Sequence, residues 1–243
     1  MYNNSFKNNI KNNPVFNDLA IKTESAYNLN NQDFDYEKLI EFLDSENLRH
    51  FALLNIEKVK NQEDAQKLLF CLTQDDSRVR ELSSFLIKDL IIDLKYRHFF
   101  NYESSIDILV NSLKDSNPKV CKNVTLALQH LDNKLTSIKK IVKIIKTNNQ
   151  TTIYWCLHAL ENILLLNNCD ISSIIENLIQ LISETSESRE YQIREKTAFI
   201  VKNINQKRMF KKSSYIIDVL SKLTQKLLSD ENFYVRNAIS FTN

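Results

Sequence analysis

The sequence predicts an all-α chain, a right-handed α-solenoid of about six stacked antiparallel helix pairs. Three observations predict it. A polar turn followed by an aliphatic residue recurs at Leu48, Val79, Val120, Ile153, Ile193 and Val235, with spacings of 31, 41, 33, 40 and 42 residues. Recurrence at that distance is the mark of a helical-repeat architecture. Apolar residues return every three to four positions both before and after each turn, which is the helical period, and no stretch alternates strictly as a half-buried strand would.

Taken in order, residues 1–33 read as an Asn-rich N-terminal tail, partly disordered, in which Pro14 to Tyr27 has the pattern of one or two amphipathic turns. The array occupies 34–243. Its first-of-pair helices are predicted over Tyr36 to Leu43, Gln62 to Leu72, Ser105 to Leu113, Ser137 to Ile145, Ile171 to Ile182 and Tyr215 to Leu228. Each is followed by a turn rich in Asp, Asn or Ser, whose side chains accept from the unpaired N–H groups at the head of the second helix. Pro118 is placed in the first turn of its helix, where a missing N–H costs nothing. The last helix begins near Asn232 and runs about three turns, with Phe241 near its end. That end reads as an uncapped face, a truncation or a docking edge.

Composition excludes several function classes. The chain has no glycine, so it holds no G-x-G-x-x-G turn, no P-loop and no G-x-S-x-G elbow, all of which need a residue without a side chain. Cys71, Cys121, Cys156 and Cys169 are scattered and form no C-x-x-C pair, as expected of reduced thiols in a cytoplasmic protein rather than of disulfides or a metal site. Neither a secretory leader nor a membrane span is legible. The formal charge is only +2, yet residues 1–121 carry 15 basic and 19 acidic side chains and residues 122–243 carry 17 and 11. This polarity would steer charged partners differently to the two halves.

The turn-and-anchor pattern, clearest in Asp230-Glu-Asn-Phe-Tyr-Val-Arg-Asn-Ala238, resembles HEAT repeats over residues 36 to 241. The resemblance implies a ladder between neighbouring repeats, with Asp44, Asp75, Asp115 and Asp230 facing Arg49, Arg80, Arg194 and Arg236. Cys121 and Tyr154 interrupt it in repeats three and four. Armadillo and tetratricopeptide arrays, which normally use glycine, match less well. Enzymes of HEAT-like build are not indicated. Di-iron hydroxylases carry His-Glu pairs, whereas His50, His98, His130 and His158 are followed by Phe, Phe, Leu and Ala. Cys156 and His158, two residues apart on a helix, point away from each other and share no metal ion. Alkylpurine glycosylases use aromatic residues and an acid in a basic groove, but Trp155 and Glu161 do not share a helical face. Nothing beyond the repeat points to a bilin lyase. No catalytic residue, metal, cofactor or small-molecule substrate is expected.

Function is therefore sought on the inner ridge of second helices. Positions two, five and nine after each anchor share one face. They read His50, Leu53, Glu57; Glu81, Ser84, Lys88; Lys122, Thr125, Gln129; Trp155, His158, Asn162; Glu195, Ala198, Lys202; and Asn237, Ser240. Trp155 stands out on this mostly polar face, and Trp is enriched at binding hot spots. The expected partner-binding residues are Trp155, His158, Asn162, Lys122, Gln129 and Lys202, holding a protein segment in a non-catalytic interaction module or scaffold. The alternative is a nucleic-acid interface through Lys139, Lys143, Lys207, Arg208, Lys211 and Lys212, where lysines and arginines cluster.

Overall fold

The structure, a computed structural model, describes residues 36–145, 149–166, 170–207 and 213–240. The expected tail of 1–33 and the helical turns of Pro14 to Tyr27 lie outside them. All regular elements among the described residues are helical. They divide into two compact units whose boundary falls inside one helix, after Leu86.

The first unit starts with the hairpin of α1 (Tyr36–Phe42) and α2 (Arg49–Asn55) and continues with α3 (Gln62–Cys71) and the opening turns of α4 (Ser77–Ile92). Leu39, Leu43, Leu53, Leu68, Leu69 and Leu72 form its interior. Polar residues set the turns. Asn61 accepts from the Asp64 amide at 2.9 Å to start α3, and Asp76 accepts from the Arg78 amide at 2.7 Å to start α4. Ser83 donates to the Leu68 carbonyl at 2.7 Å and ties α4 to α3.

The second unit contains a short α5 (Leu94–Arg97) followed by a 3-10 turn at His98–Phe100. Four hairpins follow. They pair α6 (Glu103–Asn111) with α7 (Pro118–His130), α8 (Lys134–Ile145) with α9 (Gln150–Leu166), α10 (Ile175–Thr185) with α11 (Tyr191–Lys207), and α12 (Ser214–Leu228) with α13 (Phe233–Ile239). Second helices pack on second helices, α7 on α9, α9 on α11 and α11 on α13, while α6, α8, α10 and α12 form a parallel row. Each hairpin so buries the apolar stripe that it cannot cover alone. The short α5 lies between the second and third anchors, which are 41 residues apart.

Two expectations are corrected here. In the fourth repeat Ile153 is only half-buried, whereas Thr152 is buried together with Cys156, Leu157, Leu160, Ile163 and Leu164. The anchor of α9 is therefore Thr152, one residue earlier, and its outward positions shift with it. The fifth position after the anchor is also not solvated, since Leu53, Ser84, Thr125, Leu157 and Ala198 are all buried. The face that looks outward is formed by positions two, three, six and nine.

The arginines act on their own turns before they act on a neighbour. Arg80 donates to the carbonyls of Gln74 and Asp75 at 2.9 and 2.7 Å, and Arg236 to those of Asp230 and Glu231 at 2.6 and 2.8 Å. Two of the arginines also reach the next repeat. Arg49 donates to Gln74 at 3.0 Å, and Arg194 grips Asp230 with two N–H groups at 2.7 and 3.0 Å. Cys121 occupies the arginine's place in the third repeat and donates from its thiol to the Asp115 carbonyl at 3.3 Å.

Candidate functional site

Along α7, α9 and α11 of the second unit the outward positions carry Lys122, then Tyr154, Trp155 and His158, then Glu195, Lys196 and Phe199. With the register of α9 corrected, Lys122, Tyr154 and Glu195 occupy equivalent places two residues after their anchors. Trp155 is half-buried, which places one part of its ring against the protein and leaves another in water. Tyr154 meets it edge-on, with ring centroids 5.3 Å apart at 78°. His158 lies 6.0 Å from the Trp155 ring and 6.1 Å from that of Tyr154. These three rings form one group because residues three and four apart on a helix are neighbours.

Beneath the rings runs a polar network. The imidazole Nδ1 of His158 lies 3.1 Å from a Glu161 carboxylate oxygen, to which the Lys196 ammonium also donates at 2.8 Å. Burial alone would raise the pKa of Glu161, but hydrogen bonds from His158 and Lys196 outweigh it and hold the carboxyl below its usual range. The carboxylate is thus charged and only accepts, so His158 donates from Nδ1. Asn162 donates to the His158 backbone carbonyl at 2.8 Å, and the Lys196 ammonium lies 5.3 Å from the centre of the Phe199 ring. The aromatic group therefore stands on a fixed base spanning α9 and α11.

The other expected partner-binding residues divide. Lys122 is exposed. Gln129 is half-buried and pairs with His130 at 3.0 Å. Lys202 donates to the Ser240 carbonyl at 2.8 Å, so it closes the end of α13 instead of projecting freely. Of the residues expected at a nucleic-acid interface, Lys139 and Lys143 are exposed, but on α8, in the first-helix row and away from Trp155. Lys140 between them binds Glu103 and Asp107 of α6 at 3.0 and 2.6 Å. Lys207 donates to the carbonyl of Leu164 at 3.0 Å and to that of Leu165, where it caps α9. Arg208, Lys211 and Lys212 lie outside the described residues.

Sequence reasoning missed Tyr154, Lys196 and Phe199 as companions of Trp155. The signal available was the one-residue slip in the fourth repeat, which brings Tyr154 level with Lys122 and Glu195. No group of three metal-ligating side chains occurs among the described residues. Burial raises the thiols of Cys71 to about 11 and of Cys121 and Cys156 to about 12, which leaves them poor nucleophiles at neutral pH. Cys169 is outside the described residues. No described helix is long and apolar enough to cross a membrane.

No family model and no curated protein matches this sequence. The fold does match solved structures. A computationally designed armadillo repeat protein for modular peptide recognition superposes with a TM-score of 0.55 at 17% identity, covering 84% of this chain and 97% of the other. An engineered protein gives 0.55 at 20% identity over 85% of this chain and 96% of its own. A designed armadillo repeat protein in complex with the peptide (KR)4 gives 0.51 at 14% identity over 85% and 97%. Absence of glycine therefore does not separate this array from the armadillo type.

Proposed function

We propose, from the armadillo- and HEAT-type helical-repeat fold that this chain has, that it is a non-catalytic binding module or scaffold. It takes an extended segment of a protein partner along the second-helix row of its second unit. The observation that carries this reading is Trp155, half-buried, backed by Tyr154 and His158, and held from below by the Glu161–Lys196 ion pair. A rigid amphipathic ring at the centre of a row of polar residues has the properties of a binding anchor: large contact area, little side-chain entropy to lose, and an N–H for a hydrogen bond.

Peptide recognition by designed proteins of the same fold supports it. Buried thiols with raised pKa values suit the reducing cytoplasm, which is where we place the protein. A phosphate track is less favoured, because Lys207 is engaged by backbone carbonyls and Lys139 and Lys143 belong to the opposite row.

The test is affinity capture with wild type and Trp155→Ala, both checked for equal helical content by circular dichroism. Loss of the hot-spot ring should weaken capture by about 2 kcal/mol, roughly thirtyfold. Equal recovery of the same partners by both proteins would reject the site.

A further inference from the structure

Charges on this ridge are mostly committed internally, and the exceptions are informative. Glu161 is held by His158 and Lys196, and Lys202 by the Ser240 carbonyl. Two charged side chains on the same row have no hydrogen-bond or ion-pair partner among the described residues: Lys122 on α7, exposed, and Glu195 on α11, half-buried. They flank the aromatic group on either side, and they are of opposite sign.

Spacing turns this into a recognition pattern. Packed helices have axes about 8–10 Å apart, so equivalent positions on α7, α9 and α11 form steps of that length. An extended chain in the polyproline II conformation advances about 3.1 Å per residue with about three residues per turn, so side chains three residues apart share a face and cover one step. We propose that the ridge selects a bipolar peptide segment, with an acidic side chain three residues to one side of an apolar anchor and a basic side chain three residues to the other. The acid meets Lys122, the anchor lies on Tyr154 and Trp155, and the base meets Glu195. This rests on the reading of the row as a peptide-binding surface, and it differs from that reading in what it demands of charge. A uniformly basic segment such as the (KR)4 peptide held by a designed armadillo protein would gain at Glu195 and lose at Lys122. A uniformly acidic one would do the reverse.

Trp155 is the single tryptophan of the chain, so its emission reports occupancy of the ridge. The probes are end-blocked peptides at low salt, where exposed charges are least screened: Asp-Ser-Ser-Phe-Ser-Ser-Lys, its all-acidic and all-basic counterparts, the (KR)4 peptide, and a single-stranded oligonucleotide. The bipolar peptide is expected to alter Trp155 emission and to bind tightest. Lys122→Glu and Glu195→Lys should each weaken it about threefold to tenfold. The double exchange should restore it, because the peptide then lies in the opposite direction. In contrast, (KR)4 should gain from Lys122→Glu and lose from Glu195→Lys.

Equal affinity for all peptides, or indifference of the bipolar peptide to both single exchanges, would overturn the charge pattern. If peptides still perturb Trp155 in that case, the ridge remains the binding surface. If no peptide perturbs Trp155 while the oligonucleotide binds, both readings fall. The two exchanges lie on outward positions, and unchanged thermal melting confirms that a lost affinity is not a lost fold.

Discussion

Arg194 ties two neighbouring hairpins together through a nearly buried polar contact. Its guanidinium is nearly buried, donates to the carbonyls of Ser188 and Arg189 at 2.8 and 3.1 Å, and holds Asp230 of the next hairpin through two N–H groups. The Arg194 guanidinium in turn keeps the Asp230 carboxyl below the usual carboxylate range. Removing Asp230 takes two charge-assisted hydrogen bonds from Arg194, which keeps its turn carbonyls and Glu231, so Asp230→Ala should cost about 2 kcal/mol in chemical denaturation. The pH dependence has a definite sign. The depressed folded-state value means that the pair's contribution is complete above the ordinary carboxylate range and is lost as pH falls through the lowered value. Stability measured between pH 6 and pH 2 should fall less steeply in Asp230→Asn than in wild type, and equal slopes would refute the assignment. The pairing was legible from the sequence as a repeated Asp and Arg. That most arginines act on turn carbonyls was not, because carbonyl acceptors leave no trace in residue identity.

The helix α9 shows what local pattern can and cannot specify. Its caps and stripe were readable: Asn149 accepts from the Thr152 amide at 2.9 Å, and Cys156, Leu160, Ile163 and Leu164 recur at helical spacing. Its register was not. Ile153 is the more apolar candidate, yet Thr152 is the residue in line with Cys156 and Leu160, and the packing surface decides between neighbours of similar size. The same slip placed Trp155 and His158 one position wrong relative to Lys122 and hid the level row formed with Tyr154 and Glu195. A charge distinguishes the two registers, because a carboxylate without a partner cannot be buried cheaply. Thr152→Asp should lower stability by about 3 kcal/mol or more, and Ile153→Asp by about 1 kcal/mol or less. A larger loss at Ile153 in urea titration would restore the register first expected. At the third turn, Asn117 accepts from the Lys119 amide at 3.0 Å ahead of Pro118, and Asn117→Ala should cost about 1 kcal/mol of thermal stability.

Across the second unit, α7, α9, α11 and α13 pack in sequential order, and α6, α8, α10 and α12 do the same on the other row. The order of hairpins followed from the recurrence of turns and anchors, whereas α5 did not, since a four-residue helix has too little periodicity to be seen. Stacking of this kind makes stability a sum over units and their immediate neighbours. Leu160→Ala in α9 should therefore cost about 2–5 kcal/mol, and hydrogen exchange should quicken in α7 and α11 more than in α13. Uniform acceleration throughout would show a single cooperative block instead. The thiol of Cys121, standing where other repeats carry arginine, adds a consequence of its own. Its own fastening is a neutral thiol–carbonyl contact, while the fastening of Arg194 to Asp230 depends on charge. Acid or high salt should accordingly loosen the α12–α13 hairpin before the α6–α7 hairpin, giving the unit a direction in which it frays.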